Sequence, residues 1–443
     1  MKVLFINPYI YDFTAYDLWL RPLSLLYLAS VVEKYSDSEL FWLDTLDRFS
    51  NKKIPVSKKD GRGKYYREIV KKPEIYEQVP RNYSRYGIPL YLFEKKLDEL
   101  PELDIIFITS IMTYWIDGLN FTLKKLRKRF PNSLIVLGGI LPTLLKEKIR
   151  DFVEADLYVE GYGEKKILEI IKNHGGKVSK YPDFSELDNI PFPKFSFLGT
   201  KKYLPVITSR GCPYRCTYCA SHLLNDRFRE RSYQNIYNEI SLMNKKYGTE
   251  HFVIFDDAFL INKKNRFKKA FEMVKKDLNV SFHTPNGIHT REIDNETAHL
   301  LFNSGFRTIR LSFESTDINI LKKSSGKVNT REMAKAVNNL EKAGYKRGDI
   351  ECYLLFGIPG QSISELERSI NYVREIGIVP RLSLFSPVPG TIEFNELKHK
   401  GIISGKPNLY ETNKIFFLYL RSGFSESEIM HIQDLVRNSI PDN

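Results

Sequence analysis

Short apolar runs alternate with amphipathic stretches along most of the chain, in two successive series. In the first, residues 2–6, 39–43, 104–109, 133–137 and 156–159 read as buried strands, and 22–35, 117–130 and 163–173 carry helical periodicity. Strands that alternate with helices predict a doubly wound parallel sheet of the Rossmann or flavodoxin-like kind over residues 1–180, interrupted by an insertion at 45–100. A polar, proline-punctuated stretch at 181–194 reads as a linker.

The second series places strands at 203–208, 251–255, 280–284, 308–313, 349–355 and 381–385, with helices near 233–247, 263–276, 294–303, 330–343 and 362–376. Six such units predict a partial (β/α)6, TIM-like barrel over 195–393, and barrels of this kind place chemistry on the loops after the strands. Residues 394–443 read as a small helical cap, with Ser425 and Glu428 spaced as a capping box.

Composition narrows the class. With 443 residues, 42% of them apolar, the chain can build two or three cores. No apolar stretch reaches the roughly 20 residues of a membrane-spanning helix. The Met1–Tyr9 start reads as a first strand rather than a secretion signal. Four cysteines in a chain this long are no disulfide framework, and the expected compartment is a reducing cytoplasm. The net charge of +13 is concentrated locally, with 13 Lys/Arg against 5 Asp/Glu between Lys52 and Lys96. The runs Asp60 to Lys64 and Arg81 to Gly87 mix cations with tyrosines, which suits either nucleic-acid or anion binding, or else a solvated insertion.

Three of the four cysteines, Cys212, Cys216 and Cys219, lie within eight residues directly after the first strand of the second series. That spacing suits a metal centre, and an iron–sulfur cluster or a zinc ion normally takes four ligands, so one position is left open. His222 could complete a Cys3His zinc set, although zinc sites usually draw their ligands from two separated pairs. Other strand ends carry polar or glycine-bearing residues in the same register: Asp256 and Asp257, His283 and Asn286, Glu314 and Ser315, Gly357 to Gly360, and Ser386 to Gly390. Cys352, inside the fifth strand run, reads as a buried small hydrophobe.

The spacing Cys212-x-x-x-Cys216-x-x-Cys219, with Tyr218 before the last cysteine, resembles the signature of the radical S-adenosylmethionine superfamily. Leu311-Ser-Phe-Glu314-Ser315 and Gly357-Ile-Pro-Gly360 extend the resemblance over roughly 195–395. It implies a 4Fe-4S cluster on the three thiolates, S-adenosylmethionine on the fourth iron, a 5′-deoxyadenosyl radical, and an external electron donor of flavodoxin or ferredoxin type. By position, Tyr218 would lie beside the adenine, Asp256 or Asp257 would take the amino group, and Glu314, Ser315 and Gly357 would line the same cofactor. Where relatives carry Gly-Gly-Glu, this chain has Phe255-Asp-Asp-Ala-Phe259.

The first series resembles the cobalamin-binding-like domain fused ahead of many members of that superfamily. The residues that carry this likeness include Ser110, Gly138, Gly139, Gly161 and Glu164. No histidine precedes His174, so the Asp-x-His-x-x-Gly cobalt ligand is missing, and Tyr114-Trp115 is bulky where a corrin would sit. The resemblance implies methyl transfer through cobalamin. The other readings are a cobalamin-free rearrangement, oxidation or lyase reaction, and a nucleic-acid-binding metalloprotein with a structural metal. The sequence names neither the catalytic residues acting on substrate nor the substrate, which could be a small molecule or a macromolecule.

Overall fold

A computed structural model describes residues 1–49, 58, 61–404 and 408–439. The chain divides into two compact units, Met1–Lys201 and Lys202–Asn443. Among the described residues no helix is long and apolar enough to cross a membrane.

The first unit is a five-stranded parallel sheet. Its strands are β1 (Lys2–Asn7), β2 (Glu39–Asp44), β3 (Ile105–Ser110), β4 (Leu134–Gly139) and β5 (Leu157–Tyr158), in the order β5-β4-β3-β1-β2. Strand order reverses between β1 and β3, the switch point where doubly wound sheets open a crevice. A small pocket lies there, lined by Asn7, Pro8, Ser110, Met112 and Trp115 among others. β1 and β3 are buried along almost their whole length because helices α1 (Leu23–Tyr35), α2 (Ile116–Arg129) and α3 (Glu164–Asn173) surround the sheet.

The basic insertion is folded rather than splayed. Ile10–Asp12, Ser84–Tyr86 and Arg67–Ile69 form a small antiparallel sheet. Its tyrosines 65, 76, 83 and 86 are at most 3% exposed, and Arg85 pairs with Glu68. This corrects the base-stacking reading: those rings are the insertion's core. The basic residues of 50–57 and 59–60 lie outside the described residues. Residues 181–194, expected as a linker, pack Leu187 and Ile190 into the first unit, and Lys194 N bonds Leu26 O on α1.

Asp44, at the end of β2, accepts hydrogen bonds from Asn7 Nδ2 (2.8 Å) and Leu46 N (2.9 Å). Burial pushes its carboxyl up to about 6 from an ordinary 3.8. The fold thus binds this proton more tightly than the unfolded chain does. The associated stability is present below pH ~4 and is lost as pH rises through 6, at a cost on the order of 2 to 3 kcal/mol. Asp44→Asn should therefore raise the urea midpoint of the first unit at pH 7 and leave it nearly unchanged at pH 4. Equal shifts at both values would contradict this account.

The second unit is an open parallel barrel. It runs β6 (Tyr203–Val206), β7 (His251–Ile254), β8 (Ser281–His283), β10 (Phe306–Glu314), β11 (Ile350–Phe356) and β12 (Val379–Leu384), with the short β9 (Ile288–His289) also pairing with β10. The intervening helices are α4 (Tyr233–Tyr247), α5 (Lys269–Asp277), α6 (Asn295–Asn303), α7 (Ile318–Lys323), α8 (Thr330–Ala343) and α9 (Ile363–Glu375). Local chemistry marks their ends: Ser232, Asp294 and Ser362 cap N-termini, Asn329 and Glu332 form a capping box, and Gly248 and Gly344 end helices in left-handed conformation. The C-terminal helices α10 (Ile392–His399), α11 (Lys414–Leu420) and α12 (Glu426–Arg437) belong to this unit, and Ser425 with Glu428 forms the expected capping box.

Candidate active site

The cysteine loop leaves β6 through Gly211, whose φ of 84° and proximity to Arg227 O (2.8 Å from a built Cβ) require glycine. Backbone and side-chain bonds then pin the loop. Thr217 N donates to Lys323 O at 2.9 Å, Thr217 Oγ1 to Glu393 Oε1 at 2.8 Å, and Arg215 N to Ser325 Oγ at 3.1 Å. Lys323 Nζ pairs with Glu393 at 3.0 Å, and Glu393 is 1% exposed. Replacing Glu393 by alanine should cost about 2 kcal/mol of stability and lower the iron retained after reconstitution. An unchanged denaturant midpoint with full iron content would count against this tether.

All four cysteines are free thiols, Cys216 buried and Cys212 and Cys219 partly exposed. Desolvation pushes the Cys219 thiol up to about 11 and raises Cys212 as well, while Lys327 opposes both shifts. Lys327 is the local cation: Cys216, Glu314 and Cys212 all act to hold its charge against the desolvation it suffers, and its ammonium lies 5.5 Å from the Tyr214 ring centroid. Among the described residues no three His, Cys, Asp or Glu side chains are already grouped as a metal cage, the three thiols included. Three thiols on one tethered loop with a neighbouring cation suit a polynuclear anionic cluster better than a four-ligand zinc site.

The other expected residues divide sharply. Tyr218 packs against the apolar cluster of Leu355, Ile358 and Phe385, and its phenol feels Glu314, Cys216 and Cys219. Glu314 follows a bulge in the pairing of β10 with β11, and its φ of 78° is strained for a non-glycine residue. Its carboxyl is raised by burial and opposed by Lys327 and Tyr218. Asp257 is at the surface, accepts from Ser221 Oγ at 2.5 Å, and is raised by desolvation and further by Asp256. These residues gather beside the cysteine loop.

Asp256 and Ser315 do not. Asp256 is 3% exposed and accepts from Thr208 N (2.7 Å), Thr208 Oγ1 and Ser209 Oγ (2.7 Å), with Arg266 at 3.7 Å. Its oxygens are committed to holding the end of β6. Ser315 is fully buried, donating to Glu365 on α9 and accepting from Asp317 N at 2.9 Å. Gly357, with φ of 91°, starts the turn after β11 and donates its N–H to Gln361 Oε1 at 2.9 Å. Cys352 is buried in β11, as expected of a small hydrophobe, and desolvation raises its thiol well above the ordinary value. Lys327, Glu393 and His289 carried no motif that could have singled them out.

In the first unit, Ser110 Oγ donates to Gly138 O and accepts from Leu141 N, both at 3.0 Å. Gly139 allows this close approach, since a Cβ there would lie 2.4 Å from Ser110 O. Gly138 and Gly161 face open space, with no atom within 4 Å of a built Cβ, and Glu164 is buried at the start of α3. Tyr114 is buried and Trp115 Nε1 donates to Asp12 at 3.0 Å, so these rings fill the protein at the crevice.

The profile of the Radical SAM superfamily matches residues 206–373. An uncharacterized methyltransferase of Pyrococcus horikoshii is 26% identical over 65% of this chain and 68% of its own length. The cytidylyl-2-hydroxyethylphosphonate methyltransferase of Streptomyces wedmorensis is 25% identical over 92% of this chain and 84% of its own. Among solved structures, the radical S-adenosylmethionine methyltransferase TsrM of Kitasatospora setae, with cobalamin and a [4Fe-4S] cluster bound, superposes with a TM-score of 0.69 at 14% identity, covering 98% of this chain and 91% of that one.

Proposed function

We propose that the chain, whose residues 206–373 match the Radical SAM superfamily profile, is a radical S-adenosylmethionine enzyme that cleaves S-adenosylmethionine reductively at the Cys212–Cys219 loop and transfers a methyl group with the help of a corrinoid on its first unit. The observation that carries the reading is the tethered loop of three free thiols beside Lys327 and Glu314. Cys212, Cys216 and Cys219 would hold the cluster, and the chemistry it would supply is one-electron reductive cleavage of a carbon–sulfur bond of S-adenosylmethionine. That electron comes from outside the chain, from a reduced donor of flavodoxin or ferredoxin type.

The chain's own groups position and shield. Asp257 is the acidic residue free to meet the cofactor's amino group, because Asp256 is fully bonded within the protein. Lys327 balances the negative charge of the thiolates, and Tyr218 closes the apolar side of the site against water. Glu314, turned by its bulge toward Tyr218 and Lys327, is placed to accept a hydrogen bond from a hydroxyl. Gly357 lies in the turn after β11, beside the apolar cluster that holds Tyr218. In the first unit, the open backbone at Gly138 and Gly161 leaves room for a corrinoid tail, with Ser110, Gly139 and Glu164 shaping the loops behind it. Cobalamin there would supply a methyl carrier. The first relatives are themselves named methyltransferases, which favours this subtype.

Anaerobic reconstitution tests the reading. It expects about four irons per chain, 5′-deoxyadenosine from S-adenosylmethionine, a corrinoid absorption spectrum, and label passed from methyl-labelled S-adenosylmethionine to an acceptor. Stoichiometric zinc with no 5′-deoxyadenosine would overturn it. Cleavage without any corrinoid affinity would remove the methyl-transfer part alone.

A further inference from the structure

The face of the barrel sheet turned away from the helices carries a charged row that the cluster site does not use. Phe282 and Phe306 pack on Phe271 of α5, with centroids 5.0 and 5.1 Å apart, so their side of the sheet faces the helices. Alternation turns His283 inward, and a bulge after Phe306 brings Thr308 to the same side, its Oγ1 2.9 Å from His283 Nδ1; Arg310 and Ser312 follow on that face along β10, while Phe313 packs outward on Tyr372 of α9. Register extends that inward face across four strands. His289 pairs with Ser312, Ser312 with Tyr353, and Tyr353 with Arg381, while Arg310 pairs with Glu351 one step below.

Two observations mark this row as a binding surface. The first is charge. Arg310 Nε donates to Glu351 Oε2 at 2.5 Å and Arg381 Nη2 to Glu351 Oε1 at 2.7 Å, so two guanidiniums share one carboxylate. Burial pushes the Glu351 carboxyl up, but the two arginines together hold it below its ordinary value, so it stays ionised and the trio keeps a positive charge. Arg310 is nearly buried, whereas the Arg381 side chain, on the last strand, is 35% exposed. The second is His289, which is 4% exposed and has no hydrogen-bond partner at either ring nitrogen. Its ring stacks on Tyr214 of the cysteine loop at 5.0 Å. Tyr353 joins the two features, accepting from Arg310 Nη1 at 2.8 Å and donating to Pro285 O, just before β9, at 2.7 Å. A buried imidazole without partners costs stability unless something bonds to it.

We propose that this row seats an oxyanion of the substrate, a carboxylate or phosphoryl group, with Arg381 and Arg310 supplying charge and His289 an imidazole N–H. The inference rests on the reading of this barrel as the catalytic unit, and it names the class of substrate: one whose anionic group enters over the β12 edge and lies next to the cysteine loop. Burial keeps His289 neutral, with its value lowered to about 3, so it serves as a hydrogen-bond donor rather than a second cation.

The test uses the reconstituted full-length chain at low ionic strength, titrated calorimetrically with inorganic phosphate and, separately, with acetate. One saturable site is expected for at least one of them; tighter phosphate assigns a phosphoryl group and tighter acetate a carboxylate. Arg381→Gln should weaken binding at least tenfold. His289→Phe, which keeps the ring stacked on Tyr214, should weaken it severalfold. Arg347→Gln, at a surface ion pair with Glu341, should leave it unchanged. Absence of saturable binding by both anions, or equal affinity in wild type and Arg381→Gln, would overturn the subsite. Formation of 5′-deoxyadenosine in the same wild-type preparation separates the two claims: cleavage without anion binding refutes only the subsite, and anion binding without cleavage supports the subsite while refuting the enzyme reading.

Discussion

Alanine at Cys212, Cys216 or Cys219 abolishes S-adenosylmethionine cleavage, each alone as completely as all three together. The expectation follows from ligand number. The loop contributes three thiols, and the only other cysteine, Cys352, is fully buried within β11 and cannot substitute. Two thiolates and an open iron do not retain a cubane cluster, so the loss is one of cofactor rather than of rate. The folding cost is small because Cys212 and Cys219 are partly exposed and the loop is held by Thr217, Arg215 and Glu393 rather than by the thiols. Iron content and 5′-deoxyadenosine should therefore fall to background while the thermal transition stays close to that of the wild type. Any single variant that retains cleavage would sink the ligand assignment.

The largest effect on stability is expected at Asp256, a residue whose place in the sequence suggested contact with the cofactor's amino group. Its carboxylate accepts three hydrogen bonds from Thr208 and Ser209 and stands 3.7 Å from Arg266, whose side chain is 3% exposed. Alanine there strands the guanidinium away from water and frees the donors at the end of β6. Removing one partner of a buried, bonded pair costs about 3 to 5 kcal/mol. Part of that loss is offset because Arg266 keeps Glu230 at 3.4 Å and the carbonyl of Ile261 at 2.9 Å. The measurement is the urea midpoint of the second unit, with the first unit's transition unmoved. A loss under about 1 kcal/mol would mean that Asp256 is not structural and would return it to the cofactor site. Asp257→Asn, by contrast, removes a surface carboxylate that accepts a hydrogen bond from Ser221, and should leave the midpoint nearly unchanged.

The same pair shows what could be read from the chain. Two adjacent aspartates after a strand announce a polar strand end, but alternation gives them opposite directions, and only packing tells which one turns inward to Arg266. Ser315 followed the same course: its place after Glu314 is legible, its bond to Glu365 on a helix fifty residues later is not. The basic insertion misled in the other direction. Its tyrosines looked like a stacking platform, yet a marginal three-stranded sheet needs an apolar core, and those rings supply it.

The sequence by itself determined the two series of strands and helices, the order of strands along the chain, and the thiol spacing that leaves one cluster position open. These are local properties: hydrophobic period, capping residues and residue spacing act over a few positions. Only the tertiary structure decided what the thiols sit beside. Lys327 and Glu393 reach the loop from 108 and 174 residues beyond Cys219, counted from their numbers in the chain. His289, Arg310, Glu351 and Arg381 become one row through parallel register across four strands. Neighbourhood of that kind is set by which strands pair and in what register, and long-range pairing leaves no trace in any short window of sequence.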